Sequence, residues 1–354
     1  MKKSILILCL SGLFVSNFFS QEVTDTIIEE NSAGEKPAHF SLSVEPLFGL
    51  KYGQLDEYVF IQKCDYDDDK LSELNWELKP ELYYGLKLHG NWKSLFAETH
   101  LTCGIPGDSG QMIDSDWQNV GTANAQNYQY KTNYSESDNH LDYDISFGLK
   151  IGYNIFNTSA NFCIRPTIAF DYNNIKFTGE GGTAWYGKSS AIEGKYYSRY
   201  DDKENQTVQR LSGRVIIYQR LTYYFWLGSD FSLTMPLPEG LKTESNSLSV
   251  NAGFFFTPYI YAVSYDAHLV TKTDFADLTV DFLGAFKFNF GLTYSFNERH
   301  SISLNTSYLY MRQLRGDDYY KSNYESNYNK SDNADGGAGA SWFDINLSYK
   351  FKIF

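Results

Sequence analysis

The stretch LTVDFLGAFKFNFGLTYSF, residues 278–296, alternates with a period of two. Leu278, Val280, Phe282, Phe286, Phe288, Phe290, Leu292, Tyr294 and Phe296 share the even parity, and Thr279, Asp281, Lys287, Asn289, Thr293 and Ser295 the odd one. Side chains of a strand point alternately to its two faces, so the stretch predicts a wall that is apolar on one side and polar on the other. Leu141, Tyr143, Ile145, Phe147, Leu149, Ile151 and Tyr153 repeat the pattern against Asp142, Asp144, Ser146 and Lys150. A soluble β-sandwich would place turn signals roughly every 8–12 residues, and these segments run longer. In lipid, strands satisfy their backbone groups only as a closed sheet, with apolar residues outward and polar residues inward.

Working outward, the same pattern gives ten strands. They lie near 40–58, 70–90, 93–112, 138–155, 160–179, 206–227, one within 229–261, then 276–296, 299–315 and 340–354. The predicted fold is therefore all-β, a ten-stranded antiparallel transmembrane β-barrel with long extracellular loops. Asn91-Trp92, Asn157-Thr158 and Asn297-Glu298 are read as tight turns, and the polar stretches 106–137, 180–205 and 316–339 as long loops. An even strand count puts both termini in the periplasm and the long connections outside. Aromatic residues make up 17% of the chain, with 29 Tyr and 26 Phe, although mean hydropathy is −0.40. That combination suits aromatic girdles around a polar interior. The last segment alternates Phe343, Ile345, Leu347, Tyr349, Phe351 and Ile353 with polar residues, and the terminal Phe354 falls out of phase.

Residues 1–20 read as a signal peptide, with Lys2 and Lys3 before the apolar run Ile5–Val15 and Ser20 before Gln21. Residues 21–38 are expected to be an N-terminal periplasmic segment, and 39–354 the outer-membrane barrel with an extracellular active-site rim. Loss of Lys2 and Lys3 takes the net charge from −13 to about −15. An acidic surface argues against nucleic acid and favours cationic partners. Of Cys9, Cys64, Cys103 and Cys163, the first leaves with the signal. The odd remainder is no disulfide framework, and it lacks the spacing of a thiolate metal site.

Two acidic signatures stand apart from the wall pattern: Asp114-Ser115-Asp116-Trp117 and Asp266-Ala267-His268. In a strand, residues i and i+2 share a face about 6–7 Å apart. Asp114 and Asp116 follow the third strand, and Asp266 and His268 the seventh. Both junctions lead outward, so both pairs belong to the extracellular side. Leu248, Val250, Ala252, Phe254 and Phe256 nevertheless share the parity of Asp266 and His268, which in a regular strand would aim the dyad at lipid. Pro258 favours a bulge, and a one-residue bulge switches faces. An irregularity between Phe256 and Ser264 is thus required.

Met112-Ile113-Asp114-Ser115-Asp116-Trp117 resembles the Met-Val-Asp-x-Asp-Trp signature of the omptin family, the outer-membrane endopeptidases of Gram-negative bacteria. Asp266-Ala267-His268 resembles that family's Asp-x-His dyad. Further similar stretches follow in order: Gly53–Phe60, Leu71–Trp76 and Phe177–Gly182. The resemblance implies a ten-stranded barrel rising above the membrane and carrying an extracellular active-site groove. It also implies that Asp266 orients His268 as general base on a water, while Asp114 and Asp116 hold that water and accommodate charge. Imidazole titrates near neutrality, and two carboxylates this close raise one another. The family's acidic pocket for a basic residue maps onto Glu57 and Ser264, one carboxylate in place of two. The substrate-binding expectation is therefore a weakened preference for basic residues. The family's lipopolysaccharide-binding positions hold Phe170, Tyr172 and Asn174, with no arginine, which argues against dependence on lipopolysaccharide.

The expected function is thus cleavage of polypeptides, cationic ones foremost, at the cell surface, with outer-membrane lipid as the other partner and neither cofactor nor metal. The alternative is a catalytically silent barrel of the same fold, acting as an adhesin or surface structural protein. A narrow ten-stranded lumen suits a porin less well. Carboxylates with a histidine also suit Zn²⁺ or Ca²⁺, a third reading that chelator-resistant activity would exclude. Gly107-Asp108-Ser109-Gly110 is read as turn chemistry, Asp65, Asp67 and Asp69 as a solvated loop, and His140 as the reserve candidate for His268.

Overall fold

The computed structural model describes residues 40–61, 69–121, 127–157, 161–190, 196–235, 237, 246–322 and 324–353. The expected signal peptide, the 21–38 segment, Cys64, Asp65, Asp67 and Phe354 lie outside them. Ten antiparallel strands form the wall. They are β1 (Phe40–Ile61), β2 (Lys70–Trp92), β3 (Leu95–Gly104 and Gly107–Asp116), β4 (Asn133–Tyr153) and β5 (Phe162–Gly187). They continue as β6 (Arg214–Met235), β7 (Ser247–His268), β8 (Thr273–Asp281 and Ala285–Ser295), β9 (His300–Ser322) and β10 (Asn329–Lys352). Each strand pairs with its neighbours in order, and β10 closes the ring on β1 from Ser43↔Lys352 to Ile61↔Ala334.

The strands begin and end farther out than alternation suggests. β3 continues to Asp116, past its expected end at 112 and into the stretch expected to be a loop, and Ser109 donates to the Glu77 carbonyl at 2.9 Å from a buried position rather than from a turn. The 316–339 stretch is mostly strand, carried by the ends of β9 and β10. Above the membrane no lipid enforces period two, so the sequence pattern fades while the ladder persists. β6 spans Arg214–Met235 rather than 206–227, and β7 starts at Ser247, within the expected 229–261, but runs on to His268. The first tight turn is Lys93-Ser94, with Lys93 at φ 55, two residues past Asn91-Trp92.

The lower half of the wall is a membrane surface. Phe48, Leu86, Phe147, Phe288, Leu304 and Phe343 all point outward and are exposed. Tyr172, Tyr223 and Tyr261 form a band of ring contacts near its upper edge, with centroids 5.2 and 5.6 Å apart. Inside, charges are paired: Lys150 meets Asp230 at 3.1 Å, Lys287 meets Asp171 at 3.0 Å, and Lys51 contacts Glu81 and Asp144. A polar cavity of about 640 Å³ fills this half.

At the upper edge of the lipid band, irregularities change which parity faces inward. On β7, Gly253, Phe255 and Thr257 are buried below, and Ile260, Ala262, Ser264 and Asp266 above. The ladder to β6 slips between Phe225↔Tyr259 and Leu227↔Phe256, an extra residue at Thr257-Pro258. This is the switch that an inward dyad requires. β2 slips likewise at Lys79-Pro80 and β9 at Arg312-Gln313. β8 breaks between Asp281 and Ala285, with Leu283 at φ 55, so the stretch 278–296 is two segments rather than one continuous strand. Above this belt an apolar layer crosses the interior. Trp76 stacks on Phe177 and Tyr218 with centroids 5.7 and 5.2 Å away, and Leu55, Met112 and Ile260 complete it.

Candidate active site

The two acidic signatures come together above that layer, outside the membrane-spanning part. β3 carries Asp114 and Asp116 beside β2, in register Leu74↔Asp114 and Ser72↔Asp116. β7 carries Asp266 and His268 beside β6, in register Tyr218↔Asp266 and Ile216↔His268. The layer of Trp76 and Tyr218 lies between these walls and sets their separation. A four-residue turn follows His268, closed by the Lys272 amide donating to the His268 carbonyl at 2.8 Å. The dyad therefore sits at the end of a rigid hairpin rather than on a long loop.

His268 Nε2 and Asp266 Oδ2 are 2.6 Å apart, and Phe275 meets the imidazole edge-on with centroids 5.2 Å apart. Asp266 is buried while His268 keeps 23% of its side chain exposed, so the ring is held from below and open above. On the opposite wall Asn133 Nδ2 donates to Asp116 Oδ2 at 3.2 Å, and the Ser72 hydroxyl also bonds that carboxylate. One oxygen of Asp114 and one of Asp266 are buried without a donor among the described residues.

Charge ties the two walls. Burial first, then Asp116 and Asp266, push Asp114 up to about 8, with the His268 charge opposing them. Burial also raises Asp116. For His268 burial alone would lower the value, but Asp266 foremost, then Asp114 and Asp116, raise it to about 9. Both shifts run the same way, so Asp114 and His268 each hold a proton to higher pH than they would in water.

The two residues expected to bind the substrate, Glu57 and Ser264, also lie nearby. Glu57 is buried on β1, and burial, then Asp266 and Asp277, raise it well above the usual carboxylate range. Ser264, two residues before Asp266, is buried and shares a 3.2 Å hydrogen bond with the Tyr218 hydroxyl. Sequence reasoning missed Arg220, Asp277 and Asp318, all buried close to Glu57. Asp277 shares the odd, inward parity of Thr279 and Asp281, a signal that was present in the alternation itself.

His140 does not belong to the site. It is exposed on β4, where it lies 3.6 Å from Asp108. His89, His100 and His300 are engaged with Glu98, Asp171 and Tyr349. Among the described residues no group of carboxylates, histidines and cysteines has metal-holding geometry, and Cys103 and Cys163 are free thiols.

A family model described as the Omptin family matches residues 37–352. Among solved structures, the fold is similar to that of outer membrane protease OmpT from Escherichia coli, with a TM-score of 0.70 at 16% identity, covering 88% of this chain and 97% of that one. The translocator domain of autotransporter NalP from Neisseria meningitidis gives a TM-score of 0.34 at 9% identity, covering 99% of this chain and 97% of that one. No curated protein matches the sequence.

Proposed function

The chain belongs to the omptin family and has the fold of an outer-membrane protease, and from that premise we propose that it is a cell-surface endopeptidase in which Asp114, Asp116, Asp266 and His268 hydrolyse peptide bonds. The observation that carries this reading is the meeting of the 2.6 Å His268–Asp266 pair with the half-buried Asp114–Asp116 pair on the facing wall. We further propose that residues 1–20 are removed on export and that the barrel from residue 39 acts alone.

Asp266 holds Nε2 of His268, which leaves Nδ1 as the atom that meets water. In the neutral tautomer Nδ1 accepts a proton as the water oxygen attacks the scissile carbonyl carbon. The imidazolium so formed is stabilised by Asp266, as its raised affinity for protons requires. The Asp114–Asp116 pair positions the water and accommodates the charge that develops at the tetrahedral stage. Collapse of the tetrahedral species breaks the C–N bond, and His268 returns its proton to the leaving amine. Water is consumed, and one carboxylate and one amine are released. Substrates are expected to be polypeptides with basic residues beside the scissile bond. The apolar residues at 170 and 172 and Asn174 give no support to a requirement for lipopolysaccharide.

The test is cleavage of a peptide library by the refolded protein, by His268→Ala and by Asp114→Ala, with and without chelator. Metal-independent cleavage lost in both variants supports the reading. No cleavage by verified folded protein, with lipopolysaccharide present or absent, favours a silent surface barrel instead.

A further inference from the structure

Ser264 leaves a gap where the resemblance calls for an acid, yet the ladder fills it. Directly across the strand pair β7–β8, Ser264 stands opposite Asp277, and Asp277 in turn stands opposite Asp318 on β9. Asp277 is only 2% exposed and Asp318 4%. The Asp277 carboxyl touches those of Glu57 and Asp318. As carboxylates, neither oxygen of Asp277, one of Glu57 and one of Asp318 find any donor among the described residues.

The surroundings are built around this group. A Cβ placed on Gly336 of β10 would lie 2.0 Å from Asp277 Oδ1, so the glycine clears the space the carboxyl occupies. The nearby cation is Arg220. Its Nη1 donates to the carbonyls of Asp56 and Gly339 at 3.2 and 2.8 Å, its Nε is buried without an acceptor, and among the described residues it makes no ion pair with the three acids. Asp266 is already matched by His268. Three buried carboxyls therefore face one guanidinium. A buried charge is tolerated only when paired, so this pocket is short of positive charge.

We propose that Asp277, backed by Asp318, supplies across the ladder the carboxylate absent from Ser264, and so completes with Glu57 the pocket that the resemblance assigns to a lysine or arginine side chain. This rests on the endopeptidase reading and sharpens it: selection for a basic residue is strong rather than weakened. Mutual proximity and burial keep Asp277 and Glu57 protonated well above the usual range. Entry of a cation reverses that balance, so binding releases a proton from the cluster.

The experiment compares two internally quenched peptides that differ only at the residue before the cleaved bond, arginine or its neutral isostere citrulline. The wild type should prefer arginine. Asp277→Asn should cut the arginine-to-citrulline ratio of kcat/KM on the order of 30-fold, mostly through KM, as expected for losing one partner of a buried charge pair. Ser264→Asp in the Asp277→Asn background should restore the ratio at least in part. An unchanged ratio in Asp277→Asn overturns the proposal, as does a loss that Ser264→Asp leaves unrepaired. If the wild type cleaves neither peptide, the endopeptidase reading has failed. Calorimetric titration of the same proteins with reduced-bond versions of both peptides then decides the pocket by itself. Tighter binding of the arginine peptide with proton release, lost in Asp277→Asn, sustains it, and equal binding of both peptides overturns it.

Discussion

Thr257 and Ala285 bond one another twice. The Ala285 amide donates to Thr257 Oγ1 at 2.9 Å, and the same hydroxyl donates to the Ala285 carbonyl at 3.3 Å. The pair joins the β7 bulge to the β8 break, and the Leu283 amide adds a bond to the Thr257 carbonyl at 2.9 Å. Without that joint β7 would keep its lower parity and turn Asp266 and His268 to the outside of the wall, away from Asp114 and Asp116. Thr257→Val keeps the volume and leaves a buried amide without an acceptor, a loss of about 1–3 kcal/mol. Hydrogen exchange should quicken at Ile260–His268 and peptide cleavage should fall. Unchanged exchange there would show that the bulge holds without the hydroxyl.

The rate of cleavage should rise with pH across the neutral range. His268 must be neutral to accept a proton from water, and its value sits at about 9 because Asp266, Asp114 and Asp116 favour the cation. Asp114→Asn removes one of those negative neighbours, so the ascending limb of the kcat profile should move to lower pH even as its height drops. Asp266→Asn should move it farther. A limb that stays in place in both variants would assign the titration to another group.

Much of this was legible in the sequence, for a physical reason. Lipid on one face and water on the other enforce period two, so Phe288, Phe290 and Leu292 announce a wall, and a dyad on the wrong parity announces the bulge at Thr257-Pro258. The reading weakened where that pressure ends. Residues 113–116 and the outer parts of β9 and β10 stand in water on both sides and looked like loops. Asp277 was overlooked because its partners Glu57 and Asp318 are 220 and 41 residues away in sequence. Only the ladder registers Ser264↔Asp277 and Asp277↔Asp318 bring the pocket into view.

Stability of the rim should fall as pH rises from about 4 to 9. An unfolded aspartate loses its proton near 3.8, whereas Asp114 keeps its own to about 8 and Asp318 to about 6. Across that window the folded state binds more protons than the unfolded one, so each added pH unit favours unfolding. His268 acts in the same sense: its contribution is complete below 6.5 and lost as pH rises through about 9. Urea midpoints at pH 5, 7 and 9 should therefore decrease in that order. The slope between pH 5 and 7 should flatten in Asp318→Asn. A midpoint that climbs from pH 5 to 7 would contradict the buried, proton-holding state of these acids.

Gly336 and Asp277 should behave as one unit. The three atoms nearest a Cβ at position 336 all belong to the Asp277 side chain, at 2.0, 2.4 and 2.9 Å. Gly336→Ala alone forces the carboxyl aside, and overpacking of that kind costs about 1–3 kcal/mol. It should also lower the arginine-to-citrulline ratio, because the displaced carboxyl no longer faces Glu57. Asp277→Ala empties the space the new methyl needs, so the double variant should be more stable than the sum of the single effects, with a coupling of about 0.5–3 kcal/mol. Urea midpoints of the four proteins measure that coupling directly. Strict additivity would mean that the methyl is absorbed by the β10 backbone, and that the glycine serves the strand rather than the pocket.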